Sequence, residues 1–140
     1  MQSKGKILAI DFGTKIIGIA ISDNDQKFAL PYCQIENNNK SFNKIIEIVN
    51  EENIIEVIIG FPKTNNNYKS ERHQLVIDFK NELDNKLDQK IKTQFFDESY
   101  STQATYQSLK SFNVKTNKLD KNKDMVAASI ILENYLNKKG

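Results

Sequence analysis

Acidic side chains recur where strands are expected to end and a helix to begin. Asp11 closes the short apolar run KILAID (6–11), Asp97-Glu98 follow IKTQFF (91–96), and Asp124 opens the last apolar, helically periodic stretch. In open sheets with parallel strands, ligands gather outside the carboxyl ends of those strands. If the first and last strands are neighbours, Asp11 and Glu98 share one rim, and a helix N-terminus can bring Asp124 to it. Three carboxylates drawn together repel one another unless cations hold them. Mg²⁺ suits such a set, because it takes hard oxygen ligands and bridges protein carboxylates to phosphates. Two such ions about 3.5–4 Å apart can activate a water and stabilise the leaving oxygen in phosphodiester hydrolysis.

Each acid also has a plainer use. Acids at helix starts complement the helix dipole, and acids at strand ends solubilise loops. The surroundings of Asp11 argue for more. In IDFGTKIIGIAIS, Gly13 permits a tight turn, and Gly18, inside an apolar run, marks close approach of a backbone or ligand. The chain has only five glycines, and two of them follow this acid within seven residues.

Basic residues near the acids offer phosphate contacts. Lys110, Lys115, Lys118, Lys121 and Lys123 are set against Asp120 alone on the way to Asp124. Such a segment can track a nucleic-acid backbone with an affinity that falls with salt, or be a solvated loop. Lys63, Lys69 and Arg72 form a second candidate group. Arg72 is the only arginine beside 19 lysines, and its planar fork can hold phosphate in two places at once. The enrichment in Lys, Asn and Ile, whose codons are A/T-rich, reads as genome bias, so the single Arg carries more information than any one Lys. His73, the only histidine, falls on a polar stretch and is expected at the surface. Cys33 is expected to be a small buried side chain. Tyr100 and Tyr106 could stack on unpaired bases or simply pack.

The elements that must position these residues alternate. KILAID (6–11) and IIGIAIS (16–22) read as a β-hairpin, with FALPYCQI (28–35) as a third strand. Pro31 places that strand at an edge or interrupts it. Phe42, Ile45, Ile46 and Val49 have helical spacing. EVIIG (56–60) is a buried strand stopped by Gly60 and Pro62. Val76, Phe79, Leu83 and Leu87 mark a second helix, and IKTQFF (91–96) a fifth strand. Ser101 is suited to cap a helix running to about Phe112. A lysine-rich connection (113–123) then leads to a final helix at about 123–137. The order β-β-β-α-β-α-β-α-α predicts an α/β fold: a mixed five-stranded sheet, antiparallel in its first three strands and parallel later, flanked by helices.

Composition bounds the rest. At 140 residues the chain is expected to form one domain, 1–140. Its 20 basic and 18 acidic residues leave a net charge of +2, too balanced to name a partner. One cysteine excludes an internal disulfide framework and a zinc site of several thiolates. No apolar run approaches a membrane span, and Asp11 interrupts the stretch a secretory signal would need. A soluble, cytoplasmic protein without membrane contact is expected.

IDFGTKIIGIAISD resembles the opening of the YqgF-like family of pre-16S rRNA nucleases and Holliday-junction-resolvase-like proteins, within the ribonuclease-H-like superfamily. Val57-Ile58-Ile59-Gly60-Phe61-Pro62 resembles the family's strand leading to Gly-Leu-Pro, and Arg72, Gln74, Val76 and Phe79 fit its next helix. Asp97-Glu98 with Ser101-Thr102 resembles its Asp-Glu-Arg-x-(Ser/Thr)-Thr segment. Asp124-Met125-Val126-Ala127-Ala128, with Ile131-Leu132 and Tyr135-Leu136, resembles its closing Asp-x-x-Ala-Ala helix. The four pieces stand in order along almost the whole chain. Two positions depart from the family: Ser99 replaces its arginine, and Lys63 to Asn67 replace its Leu-Asn-Met-Asp-Gly turn.

The resemblance implies a ribonuclease-H-like fold with Asp11, Glu98 and Asp124 as catalytic acids binding Mg²⁺ or Mn²⁺; the local clustering of basic residues leads us to expect Lys63, Arg72, Lys121 and Lys123 toward substrate. It implies a hydrolase of phosphodiester bonds that matures the 5′ end of pre-16S rRNA in ribosome biogenesis, acting on a structured RNA precursor in the cytoplasm as a monomer or homodimer with possible ribosome association. The alternatives are a Holliday-junction-resolvase-like endonuclease acting on branched DNA and a non-catalytic nucleic-acid or ribosome-associated binding module. Asp-x-Gly-Thr also resembles the phosphate loop of actin-like ATPases, but those close two such domains over a nucleotide.

Overall fold

The computed structural model describes residues 4–61, 71–97 and 122–139. Five strands and three helices lie within them: β1 (Lys6–Asp11), β2 (Ile16–Ser22), β3 (Ala29–Glu36), α1 (Ser41–Glu51), β4 (Ile54–Phe61), α2 (Glu71–Lys86), β5 (Lys92–Asp97) and α3 (Lys123–Lys139). The strands form one sheet in the order β3-β2-β1-β4-β5. β1 pairs antiparallel with β2, and β2 with β3, whereas β1–β4 and β4–β5 are parallel. The mixed sheet expected from the sequence is therefore present. The helix expected at 101–112 and most of the lysine-rich connection lie outside the described residues.

The central strands carry continuous apolar runs because both sheet faces are covered. Side chains alternate between two cores, as the twofold strand repeat requires. Leu8, Ile10, Ile17, Ile19, Val57 and Ile59 point into a core with α1 and α2, where Phe12 and Phe42 each bring a ring within 5.0 Å of Phe79. Ile7, Ala9, Ala20, Ile58 and Phe96 face the other way, against Ala128, Ile131, Leu132 and Leu136 of α3.

β3 is the edge strand that Pro31 indicated, and its pairing with β2 slips in register between Ile19 and Ala20. It begins at Ala29, leaving Phe28 exposed outside it. Cys33 is half-buried, packed against the α1–α2 core, and burial raises its thiol pKa. His73 corrects an expectation. Its side chain is buried, because the first turns of α2 pass over the end of β4 and the ring lies 5.0 Å from that of Phe61. A polar neighbourhood in sequence says nothing about which helix face the sheet covers.

α3 is held to its face by more than apolar contact. The Tyr135 hydroxyl donates to Glu56 Oε2, and Gln94 Nε2 donates to Glu56 Oε2 at 2.5 Å and to the Tyr135 oxygen at 2.6 Å. Glu56 is only 5% exposed, so a lost partner there goes unreplaced by water. Desolvation, and then the Glu56 hydrogen bond, push the Tyr135 phenol well above its ordinary 10.0.

Tyr135→Phe should therefore cost about 1–3 kcal/mol in urea denaturation, the usual effect of stranding a buried polar partner. The native state keeps the phenol protonated where the unfolded chain releases the proton. This contribution is thus complete below pH 10.0 and lost as pH rises from there toward the raised native value. The stability difference between wild type and Tyr135→Phe should shrink over that range.

Candidate active site

The parallel strands bring their carboxyl ends to one rim, with Ile10 beside Ile59 and Phe61 beside Asp97. Asp11 ends β1 at this rim. Because Ile7 and Ala9 face α3, alternation turns Asp11 to the same side, half-buried. The next residue, Phe12, packs into the opposite core, so the end of β1 is anchored from both layers.

The partner of Asp11 across the antiparallel ladder is Gly18, whose Cα in such a pair lies about 4.5–5.5 Å away. A Cβ built on Gly18 would lie 2.0 Å from the carbonyl oxygen of Asp124 and 2.8 Å from the Met125 nitrogen. Only a residue without a side chain lets the first turn of α3 rest on the sheet here. Backbone contact thus brings Asp124 next to the strand position paired with Asp11.

The same turn is capped from the sheet. The first helical bond runs from the Val126 N–H to the Asn122 carbonyl, which makes Asn122 the N-cap. The N–H groups of Asp124 and Met125 would ordinarily be satisfied by the N-cap side chain. Here both donate to Gln34 Oε1, at 3.0 and 3.2 Å. Gln34 is the ladder partner of Gly18 on β3. One cross-sheet row, Asp11–Gly18–Gln34, therefore supplies an acid, a seat for the helix and its cap, while Asp124 places a negative charge in the favourable first turn. Gly18 signalled close approach in the sequence. Gln34 gave no signal of its own, being one polar residue in an edge strand where polar residues are ordinary.

A cleft of about 410 Å³ opens beside this row, lined by Gly13, Thr14, Lys15, Ile16, Lys123 and Asp124. Of the other expected site residues, Glu98, Lys63 and Lys121 lie outside the described residues, and Arg72 falls in the first turn of α2. Among the described residues no group of three or more His, Cys, Asp or Glu side chains stands close enough to hold a metal ion. The two acids here, Asp11 and Asp124, offer carboxylate oxygens, with no thiolate or imidazole in the cross-sheet row or the cleft lining. That donor set fits Mg²⁺ or Mn²⁺ rather than a soft-ligand metal. Among the described residues no helix is long and apolar enough to cross a membrane.

A family model described as RuvX, Holliday junction resolvase, matches residues 5–138. A protein of Malacoplasma penetrans named "Putative pre-16S rRNA nuclease" is 67% identical, over 96% of this chain and 95% of its own length. A protein of the same name from Maridesulfovibrio salexigens is 37% identical, over 94% and 97%. Among solved structures, RuvC of T. thermophilus in complex with Holliday junction substrate superposes with a TM-score of 0.60 at 8% identity, covering 96% of this chain and 95% of that one. The Fowlpox virus resolvase with Holliday junction DNA gives 0.56 at 18%, covering 96% and 98%. At such identities these likenesses show the fold, that of ribonuclease-H-like resolvases.

Gly18→Ala should cost about 1–3 kcal/mol in urea denaturation, as overpacking against rigid backbone does, and should reduce activity by displacing the turn that bears Asp124. Gln34→Ala should cost about 0.5–2 kcal/mol, the range for a lost helix cap, with the denaturant slope unchanged.

Proposed function

The chain belongs to the RuvX family of Holliday junction resolvases and is a nuclease, and on that footing we propose that it hydrolyses phosphodiester bonds at the 5′ end of the 16S rRNA precursor. The observation that carries the proposed site is the seating of the Asp124 turn on Gly18, the ladder partner of Asp11. In this reading Asp11, Asp124 and Glu98 are the catalytic acids that hold Mg²⁺ or Mn²⁺. Held by these acids, such an ion would supply Lewis acidity and activation of a water at neutral pH. The protein's part is to hold Asp11 and Asp124 at neighbouring backbone positions, through the anchored end of β1 and the Gln34-capped start of α3. Lys123 borders the same cleft as Asp124 and contacts the substrate backbone, with Lys63, Arg72 and Lys121 assigned the same task. One domain over 1–140, working in the cytoplasm as a monomer or homodimer in ribosome biogenesis, completes the reading.

The second reading is resolution of four-way DNA junctions, favoured by the description of the matching family. Cutting two strands of a junction calls for two active sites and therefore a dimer. The RNA reading ranks first because relatives as similar as 67% carry the rRNA name across nearly their whole length.

Purified protein should cleave an RNA spanning the mature 5′ end of 16S rRNA when Mg²⁺ or Mn²⁺ is added. Asp11→Asn and Asp124→Asn should each lower the rate more than 100-fold, above the roughly 10–100-fold that loss of an outer partner of a metal ligand costs. Circular dichroism should show both variants folded. Equal cutting by the variants would overturn the assignment of the acids. Retained RNA binding without cleavage in either metal would make the protein a binding module, and a strictly monomeric state by light scattering would count against junction resolution.

A further inference from the structure

The β1–β2 turn is built as firmly as the acids beside it, although nothing in a hairpin demands this. A Cβ on Gly13 would fall 2.2 Å from the Ile16 carbonyl oxygen, so the turn closes more tightly than any other residue would allow. It is also tied from outside. Asn37, just beyond β3, donates its side-chain Nδ2 to the Gly13 carbonyl at 2.8 Å and its backbone N–H to the Lys15 carbonyl at 2.9 Å. Two bonds from one residue hold both ends of the segment Gly13-Thr14-Lys15.

That segment carries an exposed hydroxyl, Thr14, and an exposed ammonium, Lys15, on one wall of the cleft whose other wall is Lys123 and Asp124. Among the described residues the ion pairs join Lys6 to Glu52 and Lys80 to Asp84. Lys15 and Lys123 take no part in either pair. Two cations from distant parts of the chain flank a cleft that Asp124 also lines, beside the cross-sheet row that begins at Asp11. A phosphodiester strand is the anionic polymer that needs this arrangement: acids and their ion at the scissile phosphate, fixed cations for its neighbour.

Building on the nuclease reading, we propose that Lys15, with Thr14 beside it on the Asn37-braced turn, forms one jaw of a phosphate clamp closed by Lys123. The clamp holds the backbone phosphate next to the one being cut. Lys15 is then a substrate-positioning residue of the β1–β2 turn, reading the sugar-phosphate backbone and no base. A fixed turn suits this task, since a cation on a rigid support loses less entropy on binding than one on a mobile loop.

The contact has a measurable signature in salt. For single-stranded nucleic acid the logarithm of the binding constant falls with log salt by about 0.7 for each phosphate neutralised. Binding of a fluorescent single-stranded RNA oligonucleotide should be followed by anisotropy between 50 and 200 mM KCl, with EDTA present. Lys15→Gln and Lys123→Gln should each make the slope shallower by about 0.7, and the double variant by about 1.4. Lys15→Arg should keep the wild-type slope. Lys90→Gln, at the opposite end of the sheet, should leave it unchanged. In cleavage with saturating metal, Lys15→Gln should raise KM several-fold.

A Lys15→Gln slope equal to wild type would overturn the clamp, as would an equal change from Lys90→Gln. If the lysine variants change the slope as stated but wild type cuts no RNA with either metal, the nuclease reading fails and the phosphate contact stands. If wild type cuts RNA and Lys15→Gln alters neither slope nor KM, the clamp fails and the nuclease reading stands.

Discussion

The site depends on one close approach, between the backbone of the first turn of α3 and the bare Cα of Gly18. Helix and sheet usually stand apart by the thickness of their side chains, about 10 Å between axes and layers. At Gly18 that spacing is removed locally, and the helix end drops onto β2. The N–H groups of the turn would lose water on making this approach. They recover acceptors from Gln34 on the next strand, so desolvation costs little. An acid on the first turn of α3 and an acid on the end of β1 are thereby brought to neighbouring positions by backbone geometry, before any cation contributes.

The rest of the sheet is arranged to keep α3 in that position. Its apolar residues, Ala128, Ile131, Leu132 and Leu136, pack over Ile7, Ala9, Ala20 and Ile58. Small residues at Ala9 and Ala20 let the helix stay close along its length. Nearer its far end, Tyr135 engages Glu56 and Gln94. Apolar packing tolerates sliding, whereas a three-membered hydrogen-bond network around the buried Glu56 favours one register. The network therefore sets where along the sheet the helix lies, and the Gly18 seat sets how near it comes.

The opposite layer serves the same rim differently. Phe12, one residue beyond Asp11, is buried against Phe79, and His73 is buried against Phe61 at the end of β4. Aromatic contacts thus pin two strand ends that would otherwise fray, as chain ends entering loops do. The rim that carries Asp11 is thereby held from both faces of the sheet.

Much of this was legible in the residues themselves. Twofold and 3.6-fold apolar spacing located five strands and the described helices, since burial on a sheet face or a helix stripe imposes those periods. Pro31 announced an edge strand because it lacks the N–H that a central strand requires. Asp11 and Asp124 stood out by position, and Gly18 by the absence of any local reason for a glycine in a strand. Tertiary structure alone decided what filled the space that Gly18 leaves, that Gln34 caps a helix far along the chain, that His73 turns inward, and that Lys15 shares a cleft with Lys123. Each of these depends on which side chains meet across elements distant in sequence. Local spacing encodes which face a residue takes, and only packing determines what stands opposite it.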